Sequence, residues 1–210
     1  MKINQIIFDF DGVIINSHKV KSRAFYHVFK DYGKNKAQKA MKYHLKNTGV
    51  SRFVKFKYIL KKIIKIKINK KILKDLDRKF NNFTEKKIKK LKPSKSLNDF
   101  LKTENKRINF YISSGTPQKQ LPSLLKNIKL TKYFEKVYGS PDNKVQHIKK
   151  ILKKNSSTIF VGDSLEDFLS ANKMNIKFFL KVNSENKFLQ KKNIQKIYNF
   201  KNFKLKLSNL

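Results

Sequence analysis

The sequence predicts an α/β protein, a doubly wound, Rossmann-like parallel sheet with an inserted block of helices. In residues 1–16 and 93–210, short apolar runs alternate with segments long enough for helices. This alternation is typical of parallel βαβ units. Residues 17–92 break the alternation, because they contain no clear strand and only two glycines. We therefore predict an α/β core domain formed by 1–16 and 93–210, and a helical cap domain formed by 17–92.

The apolar run at 3–8, which ends at Asp9, predicts the first buried strand. Further strands are expected at 108–112, 136–138, 158–161 and 176–180, with helices at 94–104, 117–127, 143–154 and 165–173. In the inserted block, apolar residues at helical spacing predict four helices, near 17–32, 35–46, 51–67 and 70–90. The tail from 184 is expected to form a short helix and then a strand within 194–203 that closes a sheet edge.

The chain is strongly basic, with 51 Lys and Arg against 14 Asp and Glu and a formal net charge of +37. Such a balance would suit a protein that binds nucleic acid. However, the lysines are spread along nearly the whole chain, and arginine, which makes bidentate contacts to phosphates and bases, is scarce. We attribute the charge to A+T-rich codons acting on a solvated surface, and we expect no specific nucleic-acid partner.

The composition also excludes several classes of protein. Without cysteine there is no disulfide framework, thiolate metal site or cysteine nucleophile. No apolar run reaches the ~18 residues that cross a bilayer, and the N-terminus lacks the apolar segment of a signal peptide. We expect a cytoplasmic protein without a membrane partner, either a monomer or a homodimer. The four histidines are expected to be surface or core residues without partners.

Polar residues follow three of the predicted strands at the points where the strands end. The first strand is followed by two acids, the second by a hydroxyl-rich turn, and the strand at 158–161 by two more acids. A lysine opens the helix before that last strand. In chain order, these residues are Asp9, Asp11, Ser113, Ser114, Gly115, Thr116, Lys144, Asp163 and Asp167. Because ligands bind beyond the carboxyl ends of the strands in an open parallel sheet, we expect these side chains to converge.

These residue types suit the binding of a metal ion and a phosphate. Clustered carboxylates repel one another unless a cation shares them, and oxygen ligands without Cys or His suit Mg²⁺. An ammonium, a hydroxyl and free backbone N–H groups beside the metal would cradle a phosphate. One carboxylate could then attack the phosphorus, and a second could protonate the leaving oxygen. Each feature is weak alone, because acids after a strand are also typical of a helix start.

Taken together and in order, the motifs resemble those of the haloacid dehalogenase superfamily of phosphohydrolases. The four motifs are FDFDGV (8–13), YISSGT (111–116), Lys144 and VGDSLED (161–167), and the resemblance spans residues 3 to about 180. A helical cap inserted after the first motif is also typical of that superfamily. The resemblance implies a Mg²⁺-dependent phosphatase that hydrolyses a small phosphorylated metabolite, of the sugar phosphate or phosphoglycolate type, through an aspartyl-phosphate.

The resemblance also implies roles for the acids. Asp9 would be the nucleophile and a ligand of Mg²⁺. Asp11 would be the general acid and base, with its backbone carbonyl on the metal, and its presence argues against dehalogenation. Asp163 would bind the metal directly or through water, and Asp167 would support the metal site.

In the same way, Ser114, Gly115 and Lys144 would hold the phosphoryl group. Ser113 stays an alternative to Ser114, because the end of the strand is uncertain by one residue.

The substrate is expected to be chosen by the cap. NTGVSR (47–52) resembles the cap loop of phosphoglycolate phosphatases and β-phosphoglucomutases, so Arg52 is the candidate specificity residue. The alternative is a helix-start loop with Ser51 as the N-cap. A β-phosphoglucomutase-like mutase is the alternative enzyme, although the histidine such mutases carry early in the cap falls near Lys21 here, and His18 is out of register. A basic nucleic-acid-binding protein on an inactive scaffold is the alternative from another class.

Overall fold

The computed structural model describes residues 3–153 and 156–208. Six parallel strands form one sheet: β1 Gln5–Phe8, β2 Asn109–Pro117, β3 Phe134–Ser140, β4 Thr158–Gly162, β5 Lys177–Lys181 and β6 Gln195–Ile197. Their order is β3-β2-β1-β4-β5-β6, with β1 between β2 and β4. This is the order of a doubly wound sheet, so the predicted fold class is confirmed.

Between β1 and β2 the chain forms helices. They are α1 His18–Phe29, α2 Lys34–Lys46, α3 Arg52–Tyr58 and α4 Lys70–Lys89. A short 3-10 turn follows α1, and a π-helical turn over Ile59–Ile64 continues α3. Their apolar faces meet in a cluster of their own, centred on Phe25, Phe56 and Phe80. The helix expected over 51–67 is shorter than predicted. It ends before Lys65, which adopts a left-handed conformation with φ 63°.

The remaining helices cover the two faces of the sheet. They are α5 Lys95–Glu104, α6 Leu121–Asn127, α7 Lys144–Ile151, α8 Leu165–Lys173, α9 Lys187–Gln190 and α10 Phe200–Ser208. Buried side chains of α5, α6 and α10 pack with Ile6 and Phe8 on one face. Those of α7, α8 and α9 pack with Ile7 on the other, because successive strand residues point to opposite faces.

The structure corrects three expected boundaries. In the tail, only 195–197 is a strand, and Phe200 and Phe203 lie on α10, where both pack into the core. The second strand extends to Pro117, so the helix expected from 117 begins only at Leu121. The helix expected over 143–154 spans 144–151, and residue 154 lies outside the described residues.

Within residues 3–153 and 156–208, no helix has both the length and the apolar character needed to span a bilayer.

Candidate active site

Acidic side chains meet at the carboxyl edge of the sheet, between its two central strands. Asp9 follows β1 and Asp163 follows β4, and these strands are direct neighbours in the sheet. Carboxylate oxygens of Asp9, Asp163 and Asp167 all lie within 4.8 Å of one another, and all three residues are buried. Sequence positions more than 150 apart are therefore joined at the switch point of the doubly wound sheet, where ligands bind in this architecture.

Lys144 extends from the first turn of α7 into this cluster. Its Nζ lies 2.8 Å from Asp9 Oδ1 and also forms an ion pair with Asp167, and the side chain is 2% exposed. Burial disfavours the charge of Lys144, but the two carboxylates raise its pKa above the ordinary value. Burial also raises the pKa of Asp9, an effect that the charge of Lys144 opposes. The ammonium is thus fixed beside the predicted nucleophile.

The acids of the cluster differ in how many partners they have. Asp167 accepts hydrogen bonds from the backbone N–H groups of Asp163 at 3.1 Å and Ser164 at 2.9 Å, and its other oxygen meets Lys144. By contrast, Asp163 Oδ1 is buried and has no hydrogen-bond partner among residues 3–153 and 156–208. A buried, unpartnered carboxylate oxygen in an all-carboxylate cluster fits a hard divalent ion such as Mg²⁺. Asp9 and Asp163 are the fitting ligands, and Asp167 holds its neighbours in place.

Asp11 does not join the cluster through its side chain. Its carboxylate accepts hydrogen bonds from Ser17 at 2.5 Å, Lys21 at 2.5 Å and Thr116 at 2.9 Å. Burial alone would raise the pKa of Asp11, but Lys21 and the hydrogen bonds lower it to about 2. The implied metal contact of Asp11 could therefore come only from its backbone carbonyl.

The two serines in the second half of β2 face different surroundings. Ser113 Oγ lies 2.9 Å from His147 Nδ1, and His147 Nε2 in turn donates to the Gly139 carbonyl, so the Ser113 hydroxyl donates to the imidazole. Ser114 Oγ accepts a hydrogen bond from the Thr116 N–H at 3.1 Å, which leaves the hydroxyl proton free for another acceptor. The geometry therefore favours Ser114 over Ser113 as the phosphate-binding hydroxyl.

At Gly115 the cap touches the core. A Cβ on this residue would lie 2.5 Å from the Gly49 carbonyl oxygen of the cap loop, so only glycine allows this loop and the end of β2 to approach so closely. The loop that resembles a cap specificity loop thus lies directly against the hydroxyl-rich end of β2.

Three partners of Asp163 were not expected from the sequence. His18 Nε2 lies 2.6 Å from Asp163 Oδ2, and Asn183 donates to the same oxygen at 2.7 Å. Asn186 donates to the Asp163 backbone carbonyl at 2.9 Å. The two asparagines follow β5, the next strand along the sheet, and their place at a strand end was the signal that could have identified them.

The expectation that the histidines lack partners is wrong for three of them. His18 contacts Asp163, His44 contacts Lys55, and His147 contacts Ser113. Burial lowers the pKa of His18. The hydrogen bond to Asp163 and the charges of the nearby acids outweigh burial, so the net shift of this pKa is upward.

A cavity of about 60 Å³ lies between the cap and the carboxyl edge of the sheet. Asp9 and Asp11 line it from the core, and Arg52 lines it from the cap. Arg52 is buried, with Nη2 2.7 Å from Asp77 Oδ1 and its guanidinium 4.9 Å from the centre of the Phe80 ring. The predicted specificity residue therefore borders the same space as the predicted nucleophile, and its charge is balanced within the cap.

A doubly wound sheet with acids at its switch point beneath a helical cap defines a class of capped α/β enzymes. The sequence model of one such family, described as haloacid dehalogenase-like hydrolase, matches residues 6–181. The chain belongs to this family, as the motifs indicated, and is by this membership an enzyme of the hydrolase class.

Solved structures share the fold over the whole chain. A hydrolase from Pseudomonas syringae has a TM-score of 0.78 at 16% identity, covering 99% of both chains. A predicted phosphoglycolate phosphatase from Haemophilus somnus has a TM-score of 0.76 at 16% identity, again covering 99% of both chains. A β-phosphoglucomutase from Clostridium difficile has a TM-score of 0.75 at 18% identity, covering 99% of this chain and 98% of the other. At these identities the likeness is one of fold. Among curated proteins, none matches this chain in sequence.

Proposed function

We propose that the chain is a Mg²⁺-dependent phosphatase that hydrolyses a small phosphorylated metabolite through an aspartyl-phosphate on Asp9. The observation that carries this proposal is the position of Asp9. It is buried at the end of β1, with the Lys144 ammonium 2.8 Å away and two further carboxylates within 4.8 Å. Three buried carboxylates beside a single lysine ammonium repel one another unless a further cation shares them, which supports a divalent ion at this position.

In the first step, a carboxylate oxygen of Asp9 attacks phosphorus, and the bond from phosphorus to the ester oxygen breaks. The departing oxygen takes a proton from Asp11 in its acid form, so an alcohol leaves and Asp9 carries the phosphoryl group. The Lys144 ammonium offsets the negative charge of the phosphoryl oxygens, and the Ser114 hydroxyl donates a hydrogen bond to one of them. Mg²⁺, when bound, supplies positive charge that offsets the repulsion between the substrate phosphate and Asp9.

In the second step, water attacks the phosphorus of the aspartyl-phosphate. Asp11, now a carboxylate, accepts a proton from this water, and the bond from phosphorus to the Asp9 oxygen breaks to release phosphate. Burial raises the pKa of Asp11, but Lys21 and Thr116, which both donate to its carboxylate, help to lower it to about 2. The proton that Asp11 accepts from this water restores its acid form for the next cycle.

The test of this proposal is the hydrolysis of p-nitrophenyl phosphate by wild type and by Asp9→Asn, with Mg²⁺ and with EDTA. An amide is a poor nucleophile, so we expect Asp9→Asn to lose turnover by more than about 1,000-fold, roughly the 4 kcal/mol of a lost catalytic group. EDTA should abolish wild-type activity. The matched control is Asp142→Asn, which alters an exposed acid paired with Lys150. Retained turnover in Asp9→Asn, with the thermal midpoint unchanged, contradicts the proposal.

The proposed substrate is a sugar phosphate or a compound of the phosphoglycolate type, supported by the fold shared with the enzymes named above and by Arg52 on the cavity wall. A phosphosugar mutase is the second candidate, supported by the same likeness to a β-phosphoglucomutase. Conversion of glucose 1-phosphate to glucose 6-phosphate without release of phosphate would identify a mutase.

The cytoplasmic location and the monomeric or homodimeric state stay predictions. The absence of a specific nucleic-acid partner is also a prediction, and it is checked by salt-dependent DNA binding.

A further inference from the structure

Lys55 of α3 is a buried cation without a carboxylate partner among the described residues. The residue is 3% exposed, and no acid of residues 3–153 and 156–208 forms an ion pair with it. Its Nζ lies 3.1 Å from His44 Nδ1 and 5.5 Å from the centre of the Phe25 ring. A buried ammonium is costly unless an anion or several hydrogen-bond acceptors compensate it, so this lysine calls for a partner that the chain does not supply.

His44 also lacks a hydrogen-bond partner, among the described residues, at one of its two ring nitrogens. Its ring stacks on Phe25 with the centres 4.3 Å apart, and its Nε2 is buried with no hydrogen-bond partner in the described part of the chain. When Lys55 donates to Nδ1, the proton of the neutral imidazole is on Nε2, so this N–H also lacks an acceptor. Each unsatisfied buried donor costs about 1–3 kcal/mol. A buried ammonium with a single hydrogen-bond acceptor and a neighbouring N–H with none among the described residues are therefore expected to serve a ligand.

Lys55 and His44 line the same cavity as the predicted nucleophile. The other cations on its cap side already have carboxylate partners, since Lys21 meets Asp11 and Arg52 meets Asp77.

We propose that Lys55 and His44 bind a carboxylate group of the substrate, so that the substrate is a phosphate ester of a small hydroxy acid. This proposal rests on the phosphatase function and selects the carboxylated over the neutral substrate type. A carboxylate offers an oxygen to each donor and compensates the ammonium. Burial lowers the pKa of Lys55 to about 7, and an adjacent carboxylate would raise it again.

The experiment compares two esters that differ only in this group, 3-phosphoglycerate and glycerol 3-phosphate. In wild type we expect kcat/KM to be at least about 10-fold higher for 3-phosphoglycerate, equivalent to about 1.4 kcal/mol. In Lys55→Met the preference should fall to about one. Lys57→Met, which changes an exposed lysine of the same helix, should keep it. A wild type without the preference, or a Lys55→Met enzyme that retains it, overturns the proposal.

Two further measurements separate this proposal from the phosphatase function. If neither ester nor p-nitrophenyl phosphate is hydrolysed, the phosphatase function fails, and calorimetric binding of the same two esters to the same variants then decides the subsite. If p-nitrophenyl phosphate is hydrolysed but the two esters are used equally, only the subsite fails. Preference for 1,3-propanediol bisphosphate over 3-phosphoglycerate would assign the subsite to a second phosphate and overturn the carboxylate.

Discussion

The two carboxylate oxygens of Asp163 have different surroundings. Oδ2 is held by His18 and Asn183, whereas Oδ1 is buried and unpaired within the residues that the structure describes. This division is the one expected of a metal ligand, since hydrogen bonds to one oxygen orient the other. Gly12 is part of the arrangement, because at its φ of 89° a Cβ would lie 2.1 Å from Asp163 Oδ2. His18 is therefore placed to position Asp163 in the proposed metal site.

Replacing His18 should weaken metal binding without removing a ligand. We expect His18→Ala to raise the Mg²⁺ dissociation constant by about 10–100-fold, because partners that orient a metal ligand contribute this much to affinity. Calorimetric titration of Mg²⁺ measures the effect directly. His27→Ala, on the same helix but away from the acids, is the control and should bind Mg²⁺ like wild type. Equal affinities in all three proteins would show that His18 does not position Asp163.

Lys55 gives the stability of the protein a particular pH dependence. Burial lowers its folded-state pKa to about 7, with Lys21 adding to the effect and Asp11 opposing it. Between pH 7 and its unfolded pKa of about 10.4, the unfolded chain binds the proton that the folded chain lacks. The resulting destabilisation is complete below about pH 7 and disappears as the pH rises through about 10.4.

Lys55→Met should therefore be more stable than wild type at pH 7, and this advantage should shrink towards pH 10. Urea unfolding of both proteins at several pH values measures the difference, which cancels the titration of the other lysines. Each unit of pKa shift corresponds to about 1.4 kcal/mol. A difference in unfolding free energy that does not change with pH would mean that Lys55 titrates normally.

Helix α8 shows how one element supports the site. Ser164 accepts from the Asp167 N–H at 3.2 Å, and Asp167 accepts in return from the Ser164 N–H at 2.9 Å, which forms a capping box. The same Asp167 meets Lys144. The cap of the helix and the support of the acidic cluster are therefore one set of hydrogen bonds.

Comparing Ser164→Ala with Ser94→Ala separates the capping of the helix from the support of the acidic cluster. Ser94 caps α5 through the Leu97 N–H and lies away from the site. Loss of either cap should cost about 1 kcal/mol in unfolding free energy. Only Ser164→Ala should also lower kcat, because Asp167 loses a partner. Unfolding curves and p-nitrophenyl phosphate kinetics report the two effects, and equal kcat values in both variants would show that the cap does not act on catalysis.

Helices and strands could be predicted where the residues that indicate them lie close together in the sequence. Helix α8 has its serine cap, its first-turn acids and its apolar spacing within a dozen residues, and its expected bounds of 165–173 match the structure. The tail gave mixed signals, because its Ile and Phe residues have strand propensity, whereas the three-residue spacing of Phe200 and Phe203 suits one face of a helix, the face that packs into the core. The contact of His18 with Asp163 bridges 145 positions, so no local pattern could reveal it.

For the whole molecule, the charge predicts a response to salt. A formal net charge of +37 makes repulsion between lysines exceed the attraction of the few surface ion pairs. Raising NaCl from about 50 mM to about 500 mM shortens the screening length severalfold. We expect the thermal midpoint to rise by about 2–4 °C for each kcal/mol of repulsion that is screened. A midpoint that falls with NaCl in a thermal melt would show that ion pairs dominate instead.

The first helix of the cap begins inside the active site. His18 and Lys21 are cap residues, yet they bind Asp163 and Asp11 of the core. Exchanging this cap for that of another family member at residue 17 would therefore also remove His18 from Asp163 and Lys21 from Asp11. A splice placed after Lys21 keeps those contacts, and only such a chimera would test whether specificity can be transplanted separately from chemistry.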